Sequence, residues 1–440
     1  MEHLSEVIGQ FNSVLWDRLL VFFLCGTGVY FTLKLDYIQL RKFRHSLRLM
    51  FGSFKQKEGA AGAGGMSSFQ SLATSVAAQI GVGNLAGAAT AMVSGGPGAV
   101  FWMWVSALLG MAIIYAEATL AQRYKTVKNG EVVGGPAYYM QAAFPGPFGK
   151  LLAGAFALLL IVSLGFMGNM VQANSVGGAM ESAFGIPPML TGAVLGCLSL
   201  LVFGGGVRRI VSVSEKLVPA MALFFTAASL IVIFKNYRMI LPAFGQIFIG
   251  AFVPEAVMGG VLGVSVREAI RFGVARGLFT HEAGMGSTPH AHAMAKVKHP
   301  CQQGLVAMLG VFIDTIVLLP LTVLVILTTS SLDGKRTGIE LTQYAFSHVF
   351  GDWGGVLVAV CVLFFAFASI VGWYFFGLAN VKYLFGKGAV RVYSILVSLA
   401  VAVGCTLKVD LVWNLADLFN GFMVLPNLAA LLALGVWSPA

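Results

Sequence analysis

The chain has 440 residues, 58% of them hydrophobic and only 10% charged, with a mean hydropathy of +0.85. A soluble domain carries about 25% charged residues, so the composition excludes a soluble enzyme and describes an all-α polytopic membrane protein seated in a lipid bilayer. The formal net charge of +10 is not a nucleic-acid footprint, because membrane proteins gather Lys and Arg on their cytoplasmic side.

The first apolar span covers residues 14–35. The segment before it carries Glu2 and Glu6 and lacks a basic n-region, so it does not read as a cleavable signal peptide. A basic stretch, 41–51, alternates charge with apolar bulk, as an interfacial amphipathic helix does and as a cytoplasmic loop under the positive-inside rule also can. Residues 59–65 form a Gly/Ala linker. Five cysteines (Cys25, Cys197, Cys301, Cys361 and Cys405) are scattered without a CxxC pair, which points to no metal or redox role.

The second span, 67–93, has no charged residue, yet its middle is poor helix material. Gly81 and Gly83 each cost about 1 kcal/mol relative to Ala in a helix interior, and Asn84 brings an amide that hydrocarbon cannot satisfy. Two readings fit. One is a discontinuous helix, the usual cargo and ion site of transporters. The other is a packing face, since Gly83 and Gly87 form a GxxxG pair. The spacing GxGxxxG without a preceding strand rules out a dinucleotide fingerprint.

The third span, 99–122, holds Glu117 near its end, and Gly134 to Met140 read as an interfacial turn and short helix. The fourth, 151–176, carries Asn169, Gln172, Asn174 and Ser175, with Asn169 and Gln172 on one face. Spans 188–203 and 217–234 are plain. The stretch 247–295 includes a second interrupted region rich in Gly and His, with Glu282 at its centre. An ionisable group in mid-membrane costs roughly 2.5–3.5 kcal/mol on insertion scales and is a functional candidate by default. Glu282 can equally serve structure, by pairing with Arg276 or accepting from backbone N–H groups freed at the break. Spans 304–328, 355–383, 390–407 and 411–436 complete about eleven. With the N-terminus outside and the C-terminus cytoplasmic, most of the 28 Lys and Arg fall on the inner side.

The interrupted spans are the second and the seventh, so they cross the bilayer in opposite directions. That arrangement predicts a five-plus-five inverted repeat, residues 66–236 and 237–440, with residues 1–65 outside it. Substrate and ions then sit at the pseudo-twofold interface, where a half-helix N-terminus faces a carboxylate and freed carbonyls suit Na⁺. In the ninth span Ser369 and Trp373 are four apart and share a face: a hydroxyl for an ion, and a ring to close a small pocket.

Gly81-Val82-Gly83-Asn84-Leu85-Ala86-Gly87, the Gly95-Gly96-Pro97-Gly98 turn with Trp102 and Trp104, Gly134-Gly135-Pro136, Arg276-Gly277-Leu278-Phe279, Glu282-Ala283-Gly284-Met285-Gly286-Ser287 and Gly372-Trp373 occur in order along the chain. Together they resemble the alanine or glycine:cation symporters. The resemblance implies a LeuT-type fold and Na⁺-coupled uptake of small neutral amino acids, alanine and glycine, across the plasma (inner) membrane. It implies a substrate site of Gly81, Gly83, Asn84, Gln172, Phe279, Met285 and Trp373. By analogy with the general fold, a sodium ion binds the carbonyls of Ala77 and Ile80 together with Ser369. The chain departs from the family's usual pattern at His281, where Asn is common, at Ala368, where Ser or Thr is common, and at His290. An imidazole beside the site titrates near neutrality, which leaves proton coupling or altered substrate preference open beside a neutral stand-in for Asn.

Two other classes compete. An intramembrane hydrolase could use His281, Glu282, His290 and His292, but there is no H-E-x-x-H, and His290 and His292 project from different helix faces. A channel would want rings of charge or repeated filter carbonyls. The sequence is read as that of a secondary active transporter working by alternating access, not an enzyme.

Overall fold

The two interrupted spans open in the same way. Ser67 and Ser265 each head a capping box: the Ser67 hydroxyl accepts from Gln70 N–H (3.1 Å) while Gln70 Oε1 accepts from Ser67 N–H (3.1 Å). Ser265 and Glu268 repeat the exchange at 3.3 and 2.8 Å. Such reciprocal pairs satisfy two N–H groups that a helix start leaves free. In the computed structural model, residues 2–54, 65–128, 130–253 and 265–435 are described. The Gly/Ala linker lies outside them except for Gly65, as do residues 254–264 just before the second interrupted span.

The first interrupted helix runs Ser68–Gln79, stops at Ile80 (ψ 78°), and resumes as Gly83–Gly95, bent by 47°. The second runs Val266–His281, leaves helical geometry at Glu282 and restarts as Pro289–Ala293. Glu282, Gly284 and Gly286 all have positive φ (55°, 91° and 75°), a conformation glycine adopts without penalty. The sequence therefore breaks here because its glycines permit a path that a continuous helix cannot take. The expected pair of discontinuous helices is present.

The two helices lie side by side and antiparallel, Ser68–Gln79 against Pro289–Ala293 and Gly83–Gly95 against Val266–His281. A short parallel bridge ties one end of the pair: Met66 N–H donates to Met294 O and Lys296 N–H to Met66 O, both at 2.9 Å. Ala99–Arg123 backs both Val266–His281 and the helix starting at Pro300.

Among the described residues, seven helices are long and apolar enough to cross a bilayer, and the bent pair makes eight. Val21–Lys34 and Pro188–Gly204 are shorter apolar helices. The second interrupted helix has only 16 residues before its break. The expected eleven spans are thus reached only by counting these shorter pieces. The first helix also begins earlier than expected, at Glu2, and it packs on the last helix: Asn12 Nδ2 donates to Asn414 O (2.8 Å). The basic segment is a helix, Phe43–Phe54, docked on the bundle through Phe43 against Phe312 (4.7 Å between rings).

Glu117 holds the second break open. Fully buried, it accepts from Gly284 N–H (3.1 Å) and Gly286 N–H (2.9 Å), and from Asn427 Nδ2 (2.6 Å). Asn427 in turn accepts from the Tyr139 hydroxyl and donates to Gly284 O (2.9 Å). A hydrogen bond to a charged group contributes about 1.5–3 kcal/mol, and an orphaned buried donor costs about as much. Glu117→Gln turns one acceptor into a donor facing other donors. Its unfolding midpoint in detergent is expected to fall well below that of Tyr139→Phe, which removes one outlying bond. Equal midpoints would remove Glu117 from this role.

Candidate functional site

Where the first helix breaks, its backbone meets side chains from two other helices. Val82 N–H donates to Gln172 Oε1 (3.0 Å), from Pro147–Phe184. The Ser369 hydroxyl, from Asp352–Phe385, reaches the carbonyls of Ala77 and Ala78, each at 3.1 Å. A Cβ on Gly81 would stand 2.8 Å from Gln172 Nε2 and tighter still against Ser369 Oγ. Only glycine admits both neighbours. Gly83 is similarly constrained, since a Cβ there would lie 2.7 Å from Thr280 Oγ1 of the second broken helix. Gly87 has no such close neighbour across the interface, so the GxxxG packing reading gives way to the broken helix.

Asn84 turns the other way. Its Nδ2 donates to Asp314 Oδ1 (2.7 Å) on Pro300–Thr328. Gln79 joins the two breaks directly, donating to His281 O (2.8 Å).

An aromatic wall closes one flank. The Trp373 and Phe279 rings meet edge-on at 5.6 Å, and Phe279 packs on Trp413 at 4.9 Å. The Arg276 guanidinium lies 4.5 Å from the Trp413 ring centre and forms a two-pronged pair with Asp417 (2.8 and 3.0 Å). The two charged side chains are only 8% and 15% exposed; a fork-to-fork geometry of this kind is strong where water is scarce.

That pairing corrects one expectation. Arg276 does not meet Glu282, and of the freed N–H groups of the second break those of Gly284 and Gly286 go to Glu117 and that of Ala283 to His281 Nδ1. Glu282 instead accepts from Trp373 Nε1 (2.6 Å) and from the Ser287 hydroxyl. The reason is direction: Arg276 lies within Val266–His281 and reaches the helix Val409–Leu434, whereas Glu282 lies beyond that helix's end. Asn169, expected to share a polar face with Gln172, bonds back to Gly165 O (3.0 Å), so of the two only Gln172 touches the first break.

Of the residues singled out from sequence, the breaks bring together Gly81, Gly83, Gln172, Phe279, Trp373, Ala77 and Ser369, whereas the Asn84 side chain is taken up by Asp314. Met285 is buried inside the second break. Ile80 marks the helix end, and the carbonyl that joins Ala77 at Ser369 is that of Ala78.

His281 points away from Asn84 and Gln172. Its Nδ1 accepts from Ala283 N–H (3.1 Å), which puts the ring proton on Nε2, facing Ser106 Oγ (3.0 Å). It also lines a crevice with Leu24, Cys25 and Ile113. His290 meets Asn380 (2.9 Å), while His292 lies among Ser71, Ser75 and Gln303. The three imidazoles thus serve three separate networks.

Sequence reading passed over Asp314, Trp413 and Asp417, and did not assign Glu117 its contacts. Asp314 carried a usable signal as the single charge in 300–328. For Asp417 the partner is 141 residues away, and nothing local marks it.

Gly83→Ala drives a methyl group into Thr280 Oγ1 and is expected to lose at least tenfold in amino-acid affinity by calorimetry. Adding Thr280→Ala removes that oxygen and should recover much of the loss. A double variant no better than Gly83→Ala would refute the steric account.

The model of the sodium:alanine symporter family matches residues 1–439. The sodium/alanine symporter AgcS of Methanococcus maripaludis is 42% identical, over 98% of this chain and 94% of the relative. The probable sodium/glutamine symporter GlnT of Bacillus subtilis is 38% identical, over 98% and 88%. Among solved structures, MhsT in complex with L-phenylalanine superposes with a TM-score of 0.58 at 13% identity, covering 82% of this chain and 89% of that one, a likeness of fold that agrees with the LeuT-type expectation. By its sequence over nearly its whole length, the chain belongs to the sodium:alanine symporter family.

Proposed function

We propose that this protein couples inward Na⁺ movement to uptake of small neutral amino acids, alanine and glycine, by alternating access across the plasma membrane. The observation that carries this reading is the meeting of the two broken helices at Gly83 and Thr280, with Gln172 at Gly81 and Val82 and with Phe279 packed edge-on against Trp373. Backbone N–H groups at a half-helix start suit a substrate carboxylate, and carbonyls at a half-helix end suit a cation. Ser369, Gln172 and Thr280 crowd the glycine backbone at the first break, which favours a side chain no larger than methyl. A relative bears a glutamine symporter's name, but the tight approach at Gly81 and Gly83 supports the smaller cargo here.

In this reading the repeats are residues 66–236 and 237–440, and the sodium ligands are Ala77 and Ile80 carbonyls with the Ser369 hydroxyl. Positive charge orients the chain with the N-terminus outside and the C-terminus cytoplasmic. Arg276–Asp417 then closes the outer path. On the inner side, Met66 pairs with the chain beyond Pro289–Ala293, and Lys125 Nζ donates to Ala295 O (3.0 Å). Joint occupancy by ion and amino acid favours the state in which one bundle rocks against the other.

Uptake of labelled L-alanine into proteoliposomes under an imposed Na⁺ gradient, against an imposed proton gradient, tests this. Na⁺ alone should drive accumulation, excess glycine should compete, and glutamine should compete poorly. Drive by protons alone would overturn the coupling, and failure of both would overturn the substrate. His281 accepts from Ala283 N–H, a bond that an Asn carbonyl can also make. His281→Asn is therefore expected to keep Na⁺-driven uptake within about threefold, with an unchanged pH profile; a lost pH dependence would return the histidine to the coupling step.

A further inference from the structure

We infer that the outward face of the helix Phe43–Phe54 binds the headgroups of anionic phospholipids, with Arg44 and Arg48 at its centre. The surface lies outside the site built by the two breaks, and the inference stands whatever the cargo.

Arg44 and Arg48 are one turn apart, so they share a face, and both are exposed. Arg41, Lys42 and His45 are exposed beside them. The sequence has no acidic residue between Asp36 and Glu58, and Asp36 is already taken by Arg41 (2.7 Å). Among the described residues no carboxylate pairs with Arg44 or Arg48. A basic cluster directly after a membrane helix, left without anions of its own, is complementary to an anionic lipid surface.

A second observation favours lipid over an acidic protein. The helix cannot leave the membrane boundary, because it is tied down at both its start and its inner face. Asp36 and Tyr37, both with φ 52°, turn the chain sharply at the end of Val21–Lys34. Gln39 Nε2 then donates back to Thr32 Oγ1 of that helix (3.0 Å). Phe43 packs on Phe312, and Ser46 is wholly buried. On the side left open, Leu40 is 68% and Phe51 60% exposed. Large apolar side chains interleaved with arginines suit the boundary between headgroups and acyl chains, where the apolar parts are buried and the guanidinium groups reach phosphate.

The place of the helix gives the lipid something to hold. Its inward face packs on Pro300–Val311 and on Ser68–Gln79, the half-helix that leads into the first break. Headgroups held on the outward face therefore brace that half-helix, and lipid that binds only the folded protein stabilises it.

The test uses the full-length protein in a neutral detergent, with thermal unfolding followed by Trp fluorescence. Short-chain dihexanoyl-phosphatidylglycerol, kept below its own micelle concentration, should raise the midpoint to a plateau. Dihexanoyl-phosphatidylcholine has the same tails and no net charge, and should leave the midpoint where it was. Added NaCl should weaken the anionic lipid's effect, since salt screens exposed charges. Arg44→Gln with Arg48→Gln should raise the half-saturation about thirtyfold, each basic side chain near an anionic surface contributing about a factor of five. Arg44→Lys with Arg48→Lys keeps the charge and should respond as the wild type does, which separates a lost surface from a lost fold. The surface is refuted if phosphatidylcholine raises the midpoint as far, or if the Gln pair leaves half-saturation unchanged. It is equally refuted if glycerol phosphate, a headgroup without tails, acts as the lipid does, or if polyglutamate raises the midpoint where the lipid does not.

Discussion

A bilayer offers no hydrogen bonds, so every backbone group released where a helix breaks must find its partner within the protein. That constraint organises this molecule. At the second break, Glu117 takes two N–H groups and Asn427 serves both Glu117 and the Gly284 carbonyl. At the first, Gln172 takes Val82 N–H and Ser369 donates to two carbonyls. The polar residues that look costly in an apolar helix are those that make the breaks possible.

The same contacts couple the breaks to one another. Gln79, at the end of one half-helix, donates to the carbonyl of His281, the last helical residue before the other break. Gly83 rests against Thr280, and Glu282 holds Trp373 by its indole N–H. A shift of either half-helix disturbs bonds on both, so the site has few ways to change gradually. Buried polar networks of this kind rigidify a core into particular arrangements, which is the property an alternating-access transporter needs.

Charge is handled differently at each buried acid. Glu117 is neutralised by backbone dipoles and an amide, and its role is structural. Glu282 is held by a tryptophan and a serine at the edge of the aromatic wall. Asp417 has a full cationic partner in Arg276, whose guanidinium also lies over Trp413. Asp314 has only neutral donors. The four carboxylates in one bundle are thus held in four different ways: by backbone dipoles, by a ring N–H and a hydroxyl, by a cation, and by neutral donors alone.

Composition and local pattern were enough for the membrane class, the two interrupted helices, and the residues closest to them, because glycine and amide groups in an apolar run conflict with an unbroken helix wherever they occur. They also sufficed to place Gln172, Ser369 and Trp373 at the breaks once a family pattern was set beside them. The span count was less legible, since helices such as Val21–Lys34 and Val266–His281 are too short or too polar to register as spans by length and apolarity. The partners of the buried charges were not legible at all. Arg276 finds Asp417 rather than nearby Glu282, Asn84 finds Asp314, and the second break finds Glu117, each across more than a hundred residues of chain. Local sequence reports what a segment needs, an acceptor here or a charge there. Which side chain supplies it depends on which helices stand next to one another, and that is set only when the whole bundle packs.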